Sequence, residues 1–445
     1  MELINLIPSF GGLAYTILAF VLALLIIVFV HEFGHYIVGR WSGIHAEVFS
    51  LGFGPVIWSR ADKRGTRWQI AALPLGGYVK FFGDSNAASA GHVDDLGGLT
   101  PEQVRATMHG APLWARTATV AAGPIFNFIL SIVVFAGVFL ASGVATDAPT
   151  VGMVKTMPGI TAGLQPGDKI VALGGQETPD FPAFLDAAAA LPPVATAQYL
   201  VDRGGVTVEV TDSHPLPPLV ETVQPDSAAQ EAGVQAGDIV TGVNGQAVTT
   251  FSQLRELVGA SDGTPLRLSL MREGQPVELE LQPRRVDLPL AEGGFETRWL
   301  IGLTGAMYFE PETRVPGVIE SIGLGASQSW DIATTSLSGL WHMVTGAISS
   351  CNLRGPIGIA ETSGAAASAG ITSFIWFIAM LSTAVGMMNL FPVPVLDGGH
   401  LVFYAYEAVT GKPPTAKALR VLMTVGLAAI LTLMVFALTN DIFCP

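Results

Sequence analysis

The chain has 445 residues, of which half are hydrophobic and only 13 % are charged, and its formal net charge is −14. This composition is typical of a membrane protein, and the presence of only two cysteines excludes a disulfide framework. The net charge is negative, whereas a protein that binds nucleic-acid phosphates usually has a basic surface. We therefore expect no nucleic-acid partner.

Four uncharged runs are long enough to cross a bilayer, which requires about 20 helical residues. The runs span residues 3–30, 117–146, 362–396 and 421–440. No basic segment precedes the first run, and we expect it to be a retained helix rather than a cleaved signal peptide. The sequence predicts a polytopic α-helical membrane protein whose four transmembrane helices lie within segments 1–40, 113–146, 362–398 and 418–440.

The motif HEFGH follows the first apolar run at residues 31–35. On a helix, His31 and His35 share one face, so both imidazoles can reach one metal ion while Glu32 reaches a water on that metal. Zinc suits such ligands and lowers the pKa of bound water to ~7, which leaves Glu32 as the general base. Because ionisable groups at membrane depth are costly and usually functional, we predict one zinc ion per chain.

Lysine and arginine residues predict the orientation of the helices. Those between the first two apolar runs are Arg40, Arg60, Lys63, Arg64, Arg67, Lys80, Arg105 and Arg116. We therefore predict that segment 41–112 is cytoplasmic and that the metal site lies toward the cytoplasmic side. The long region after the second helix is then on the outer side.

Residues 47–82 alternate apolar and polar side chains on both sides of the charged turn ADKRGT, which predicts a membrane-associated β-hairpin. Backbone that is unwound in lipid lacks hydrogen-bond partners, and the edge of a strand can supply them. Gly76 and Gly77 would let another backbone approach closely. We hypothesise that the segment around Gly76, Gly77 and Tyr78 binds substrate as an added strand.

The outer region contains an internal repeat, in which AGLQPGDKIVALGGQ begins at Ala162 and AGVQAGDIVTGVNGQ begins at Ala232. The pattern resembles PDZ domains of the bacterial protease-associated type, which have an α+β fold, and it predicts two tandem copies at 148–214 and 215–286. Such domains commonly capture an extended peptide, but a role as a spacer or size filter stays equally open. The positions that carry the repeat are Gly163, Gly167, Asp168, Gly233, Gly237 and Asp238.

A connector is predicted at 287–361, and it contains a further uncharged run at 332–353. Its Ser, Thr, Gly and His content makes it a poor membrane span, so we predict an amphipathic helix that lies on the outer surface. Cys351 and Cys444 both fall on the outer side in this topology. The sequence does not decide whether they pair.

The segment NLFPVPVLDGGH at 389–400 supplies the third expected metal ligand, since a catalytic zinc site usually has three. Asp397 is the first charge after the third apolar run. Pro392 and Pro394 interrupt a helix at membrane depth, which is tolerated where the backbone lines a cavity or is buried in protein.

The chain contains, in order, the motifs HEFGH, SLGFGP, LPLGGYVKF, GPIFNF and NLFPVPVLDGG. Together they resemble the motifs of the site-2 protease family of intramembrane zinc metalloproteases, peptidase family M50. The resemblance implies that His31, His35 and Asp397 ligate zinc and that Glu32 activates the water. It also implies that Asn127 and Asn389 hold substrate or stabilise the site. For each asparagine, a helix–helix hydrogen bond is the open alternative.

The resemblance further implies regulated intramembrane proteolysis in the bacterial inner membrane, with the PDZ repeats in the periplasm. The implied partners are the lipid bilayer and single-span proteins, such as an anti-sigma factor trimmed by a first protease, and remnant signal peptides. The sequence does not predict the oligomeric state. A different reading is an envelope scaffold that uses its PDZ repeats without proteolysis.

Overall fold

The computed structural model describes residues 6–83, 99–157, 162–225, 227–290 and 294–444. The chain divides into two compact units. The helical unit contains the chain up to Val138 together with Val318–Leu340 and Ser350–Cys444, and the repeat unit contains Phe139–Gly317 and Trp341–Ser349.

The helices and strands are numbered here in chain order. The helices are α1 Leu6–Trp41, α2 Pro101–Arg105, α3 Leu113–Ser142, α4 Phe181–Ala190, α5 Ala228–Glu231, α6 Phe251–Gly259, α7 Val318–Val344, α8 Pro356–Ser368, α9 Ile371–Asn389, α10 Asp397–Thr410 and α11 Ala416–Phe443. The strands are β1 Ala46–Ala61, β2 Arg67–Phe81, β3 Val144–Ala145, β4 Val151–Val154, β5 Lys169–Leu173, β6 Gln176–Glu177, β7 Thr196–Arg203, β8 Val206–Ser213, β9 Val220–Val223, β10 Ile239–Val243, β11 Gln246–Ala247, β12 Leu266–Arg272, β13 Gln275–Leu281, β14 Arg284–Pro289, β15 Phe295–Leu300, β16 Leu303–Gly305, β17 Phe309–Pro311 and β18 Thr313–Arg314.

Within the described residues, four helices are long and apolar enough to cross a membrane: Gly12–Trp41 of α1, then α3, α9 and α11. They fall on the four runs that hydropathy predicts. The third differs from the predicted span 362–398, because α8 and α9 are separate helices. Gly370 divides them with φ of +118°, a conformation that side chains other than glycine rarely adopt.

The third apolar run ends before the predicted ligand Asp397. Helix α9 stops at Asn389, and residues 390–396 form turns in which Pro392 and Pro394 cannot continue the helix. Asp397 instead opens a new helix, α10. The predicted interruption is therefore present, and it places Asp397 on the first turn of a helix.

The predicted helix at 332–353 begins and ends earlier in the structure, as α7, Val318–Val344. Its first half packs against α3 through a row of small residues, Ser321, Gly325 and Ser329. A Cβ placed on Gly325 would lie 2.5 Å from the Ile132 carbonyl oxygen, which is inside the apolar span of α3. Small residues allow two helix backbones to approach this closely, as in other membrane helix pairs.

The two cysteines form a disulfide, and their Cα atoms are 5.6 Å apart. The Asp441 carboxylate beside it accepts hydrogen bonds from the backbone N–H groups of Gly355 (2.7 Å) and Ile357 (3.0 Å). The end of α11 is thereby fixed to the first turn of α8, where backbone N–H groups lack intrahelical partners.

The predicted hairpin is formed by β1 and β2, and it folds back on itself. Residues 48–51 of β1 pair on both sides, with residues 67–70 and with residues 77–80 of β2. The small sheet packs on the end of α1 through a cluster that includes Tyr36 and Phe49. Residues 77–80 follow one edge of this sheet.

Each sequence repeat folds into a four-stranded antiparallel sheet with the same topology, β6-β5-β7-β8 in the first and β11-β10-β12-β13 in the second. Asp168 accepts two hydrogen bonds from the Arg203 guanidinium, which also donates to the Gly163 carbonyl. Asp238, Arg272 and Gly233 repeat this arrangement. The repeated Gly and Asp positions therefore stabilise the turn that precedes the central strand.

The predicted connector at 287–361 is not separate from the repeats. Its strand β17 pairs with β4 of the first repeat, and β16 pairs with β9 of the second. Tyr308 and Phe309 are buried in the core of the first repeat, and Ile301 is buried in that of the second. The proposed boundaries 148–214 and 215–286 therefore omit strands that complete both domains.

Candidate metal centre

Three side chains converge where α1 meets the start of α10. The Asp397 Oδ2 atom lies 3.1 Å from His31 Nε2 and 3.4 Å from His35 Nε2. The two imidazole Nε2 atoms are 3.2 Å apart. The His31 and His35 side chains are each 12 % exposed and that of Asp397 is 18 % exposed, so the cluster is largely shielded from solvent.

The helix α1 brings the two histidines together because residues four apart share one face. The turn 390–396 and two glycines position Asp397. A Cβ on Gly398 would lie 2.3 Å from the Leu390 carbonyl oxygen, and one on Gly399 would lie 2.3 Å from that of Val393. Only glycine therefore allows the first turn of α10 to pack onto the interrupted segment.

The Asp397 Oδ2 atom is buried and has no hydrogen-bond partner among the described residues. Such an atom is costly unless a cation or a donor satisfies it. Ligands of a tetrahedral zinc ion, at ~2.0–2.1 Å from the metal, lie about 3.3 Å from one another. The two nitrogens and one oxygen have this spacing and this donor chemistry, so the residues fit a zinc ion.

The outward-facing ring nitrogens of the two histidines have partners on α3. His35 Nδ1 lies 2.9 Å from the Thr119 carbonyl oxygen, to which it can only donate. The proton on Nδ1 leaves Nε2 with a free lone pair directed at the cluster. Such contacts fix the tautomer and ring orientation of metal-binding histidines.

Asn127 is fully buried and contacts His31, so the structure places it behind a candidate ligand. Its Nδ2 atom lies 3.2 Å from His31 Nδ1, and its Oδ1 atom has no hydrogen-bond partner in the part of the chain that the structure describes. Rotation of the amide by 180° would let Oδ1 accept the proton of His31 Nδ1. Asn127 is therefore placed where it can orient His31.

Replacing Asn127 with leucine should weaken metal binding about 10- to 100-fold, the usual cost of removing a partner of a metal-binding histidine. Asn127→Asp keeps an oxygen acceptor for His31 Nδ1 and should retain more affinity than the leucine variant. Zinc titration of both purified variants measures the difference. Equal affinity in Asn127→Leu and the unaltered chain would mean that Asn127 does not orient His31.

Gly123 on α3 lies directly against the cluster, and no motif in the sequence indicates its role. A Cβ placed there would be 2.3 Å from His35 Nε2 and 2.8 Å from His31 Cε1. Opposite it, a Cβ on Gly34 would be 2.5 Å from the Ala122 carbonyl oxygen. The close approach of α1 and α3 thus depends on glycine on both helices.

Glu32 lies beside the cluster and experiences the charges of His31, His35 and Asp397. The edge of the hairpin lies next to it, at Gly77. A Cβ on Gly77 would be 3.0 Å from Glu32 Cγ. The strand edge at 77–80 and the candidate base therefore face each other.

The other residues that were predicted to contact substrate are Asn389, Tyr78 and Gly76. Asn389 is the last residue of α9, is half-buried, and donates from Nδ2 to the Val385 carbonyl oxygen (3.0 Å). Tyr78 stacks on Phe53 and accepts a hydrogen bond from Gln69 Nε2 (3.2 Å). A Cβ on Gly76 would meet the Phe53 ring at 2.5 Å, so Gly76 is packed within the hairpin.

An ion pair distant in sequence connects the helix that carries Asp397 to α3. Arg116 donates to both carboxylate oxygens of Glu407, at 3.0 and 2.6 Å, and its guanidinium lies over the Tyr404 ring. Both charged side chains are less than one-fifth exposed. A bidentate pair of this kind fixes orientation as well as distance.

Comparison with known proteins covers nearly the whole chain. A profile described as peptidase family M50 matches residues 19–433. A candidate zinc metalloprotease of Rhizobium meliloti is 39 % identical over 434 residues, which are 97 % of each chain. The regulator of sigma-E protease RseP of Escherichia coli is 32 % identical over 453 residues, which cover 95 % of this chain and 97 % of that protein.

Among solved structures, the PDZ domain of an SdrC-like protein of Listeria monocytogenes matches 22 % of this chain and 93 % of its own. The identity is 18 % and the TM-score is 0.18.

Proposed function

The chain belongs to peptidase family M50, and from this premise we propose that it is an intramembrane zinc metalloendopeptidase of the site-2 type. One observation supports this proposal most strongly. Two histidines and an aspartate converge at the end of a helix that is long enough to span a membrane, with a glutamate beside them. Such a site can hydrolyse a peptide bond that lies in or near the bilayer.

In the proposed reaction, His31, His35 and Asp397 would hold one zinc ion, which would supply a Lewis acid and lower the pKa of a water. Glu32 takes the proton of the attacking water as general base. The same carboxyl group then gives that proton to the leaving amine nitrogen, so that the peptide bond is replaced by a carboxylate and an amine.

We propose that substrate binds at the strand edge formed by residues 77–80. In this edge, Gly77 lies against Glu32, so a strand added there would bring its backbone next to the base. Hydrogen bonds from the edge would replace those that an unwound substrate helix loses in lipid. Gly77 is needed for the contact with Glu32, so a proline at 76 or 77 would disturb the site itself.

A proline at Leu75 tests the strand edge without that complication. Leu75 lies in β2 two residues before this edge, has no register partner in β1 and is 64 % exposed, so Leu75→Pro removes a backbone N–H beside the edge and preserves the pairing. We expect cleavage of a membrane substrate to fall at least about tenfold, with Leu75→Ala as the matched control for the lost side chain. Equal cleavage by both variants would rule out strand addition at this position.

For the substrates, we propose single-span membrane proteins, including an anti-sigma factor that a first protease has trimmed, and remnant signal peptides. This proposal rests on the similarity to a protein named as regulator of sigma-E protease. We further propose that the chain lies in the bacterial inner membrane, with the repeat unit periplasmic and the metal centre toward the cytoplasm. The basic residues between α1 and α3 support this orientation.

We propose that the repeat unit excludes substrates with bulky outer domains. Its two ends meet where β3 pairs with β18, so residues 147–311 can be replaced by a short glycine-serine linker. The shortened chain is expected to cleave a single-span substrate that still carries its outer domain, while the full chain cleaves only the trimmed form. Loss of all cleavage in the shortened chain would instead assign the repeats a receptor role.

A scaffold without proteolysis is the second candidate, because the repeats alone could recruit envelope proteins. A scaffold does not need a general base. The two functions are therefore separated by incubating trimmed single-span substrate with the full chain and with a chain that lacks the Glu32 carboxylate. A protease needs that carboxylate for cleavage, and a scaffold does not.

A further inference from the structure

A cavity of about 230 Å³ lies at the end of α1, away from the metal centre. Its wall is formed by Tyr36, Arg40, residues 43–46, Arg64 and Thr66. This volume would hold seven or eight waters at ~30 Å³ each, so it can admit a polar group much larger than one water.

Two arginines, Arg40 and Arg64, form part of the cavity wall, and a third, Arg105, lies behind it. Arg40 stacks over the Tyr36 ring and donates one hydrogen bond to the Tyr36 hydroxyl oxygen (2.8 Å), which leaves its other N–H groups available. The side chain of Arg64 is exposed at the rim. Arg105 lies behind the loop, where its Nη1 and Nη2 atoms would be 3.6 and 3.7 Å from a Cβ on Gly43.

The charge of Arg105 is incompletely satisfied. Its Nη2 atom donates to the Ser42 carbonyl oxygen (3.0 Å), but its Nη1 atom is buried and has no hydrogen-bond partner within the described ranges. A buried donor of a charged group without an acceptor is costly, so this atom indicates a missing anionic or polar ligand.

The acidic residue beside the cavity is Asp62, and protein donors already occupy its oxygen atoms. They accept from the Tyr36 hydroxyl, the Trp68 indole N–H and the backbone N–H groups of Arg64 and Thr66. Among the described residues, Arg40, Arg64 and Arg105 make no salt bridge with an acid. The surroundings of the cavity therefore keep an excess of positive charge.

We propose that this cavity binds a phosphoryl group. Guanidinium groups recognise phosphate through paired N–H donors; two of them, Arg40 and Arg64, line this cavity, and the third, Arg105, lies behind its wall at Gly43. The neighbouring Trp41 is 74 % exposed at the end of a membrane-length helix, as aromatic residues are at a bilayer interface. The favoured ligand is thus the headgroup of an anionic phospholipid, and inorganic phosphate is the other source of the same chemistry.

The test uses the full chain in detergent and measures binding of phosphatidylglycerol, phosphatidylcholine and inorganic phosphate by native mass spectrometry. We expect one phosphatidylglycerol to bind tightly, and Arg40→Gln together with Arg64→Gln to weaken it at least about tenfold. Arg60→Gln together with Arg67→Gln is the control, because it removes the same charge from exposed positions of the hairpin outside the cavity wall.

The outcomes separate the lipid source from the free anion. Tight binding of inorganic phosphate that the cavity variant loses, without preference for phosphatidylglycerol, would support the phosphoryl site and assign it to free phosphate. Equal weakening in the cavity variant and the control would overturn the proposal, because the lipid would then respond only to general charge. If the double variant does not fold, Arg64→Gln alone serves, since its exposed side chain has no partner among the residues that the structure describes.

Discussion

Replacing Glu32 with glutamine is expected to lower the rate of substrate cleavage about 10²- to 10⁴-fold, the usual contribution of a general base. Glutamine has nearly the same shape but cannot accept the proton of the attacking water. The side chains of His31, His35 and Asp397 are unaltered in this variant, so its zinc content should equal that of the unaltered chain. Paired measurements of zinc content and of initial cleavage rate test both parts of the prediction.

The matched control for this substitution is Glu47→Gln. Glu47 lies on the hairpin and forms an ion pair with Lys80 (3.0 Å) at a partly exposed position. Removal of that charge should leave the cleavage rate within about twofold, because exposed ion pairs contribute little. A Glu32→Gln variant that cleaves as fast as the control would show that another group is the base.

The second large effect is expected from Gly123→Ala. The added Cβ would lie 2.3 Å from His35 Nε2, which is one of the proposed ligand atoms, and real carbon–nitrogen contacts do not become this short. The imidazole or the helix α3 must move, and either movement separates His35 from Asp397. We expect the variant to lose nearly all of its zinc and with it all cleavage, since a zinc site with one ligand displaced binds far more weakly.

Gly137 on the same helix provides the control for Gly123→Ala. No atom lies within 4 Å of a Cβ placed there, and alanine is a better helix former than glycine. Gly137→Ala should therefore bind zinc and cleave substrate normally. A full complement of zinc in Gly123→Ala would contradict the close packing of α1 and α3 at the metal centre.

The features that could be predicted from the sequence are local. HEFGH indicates a pair of histidines on one helical face because the helical period relates residues four apart. Apolar and polar side chains alternate in residues 47–82, which indicates a hairpin because successive side chains of a strand point to opposite faces. The prolines after Asn389 indicate an interrupted helix, and the structure has that interruption directly before Asp397.

The features that could not be predicted depend on contacts between distant segments. Gly123 acquires its importance only from the approach of α3 to α1, and a glycine among small residues carries no sign of this contact. The ion pair of Arg116 with Glu407 joins residues 291 positions apart. Strands β16 and β17 likewise pair with strands of the repeats that lie far earlier in the chain. No periodicity reports such long-range pairing.

The division of the third apolar run was also hidden in the sequence. Hydropathy averages over many residues, so one glycine at position 370 does not alter it. The positive φ of Gly370 separates α8 from α9, and the shorter α9 is the part that is long and apolar enough to span a membrane. Apolar length alone therefore predicted the existence of the span but not its ends.

Zinc-dependent proteolysis within the membrane is best tested by incubating one trimmed single-span substrate with the purified full chain in lipid nanodiscs and identifying the products by mass. We expect a cut within the apolar segment that disappears on zinc chelation, returns when zinc is added, and is absent with Glu32→Gln. A cut outside the apolar segment, or a cut that persists after chelation or with Glu32→Gln, would contradict the proposed function.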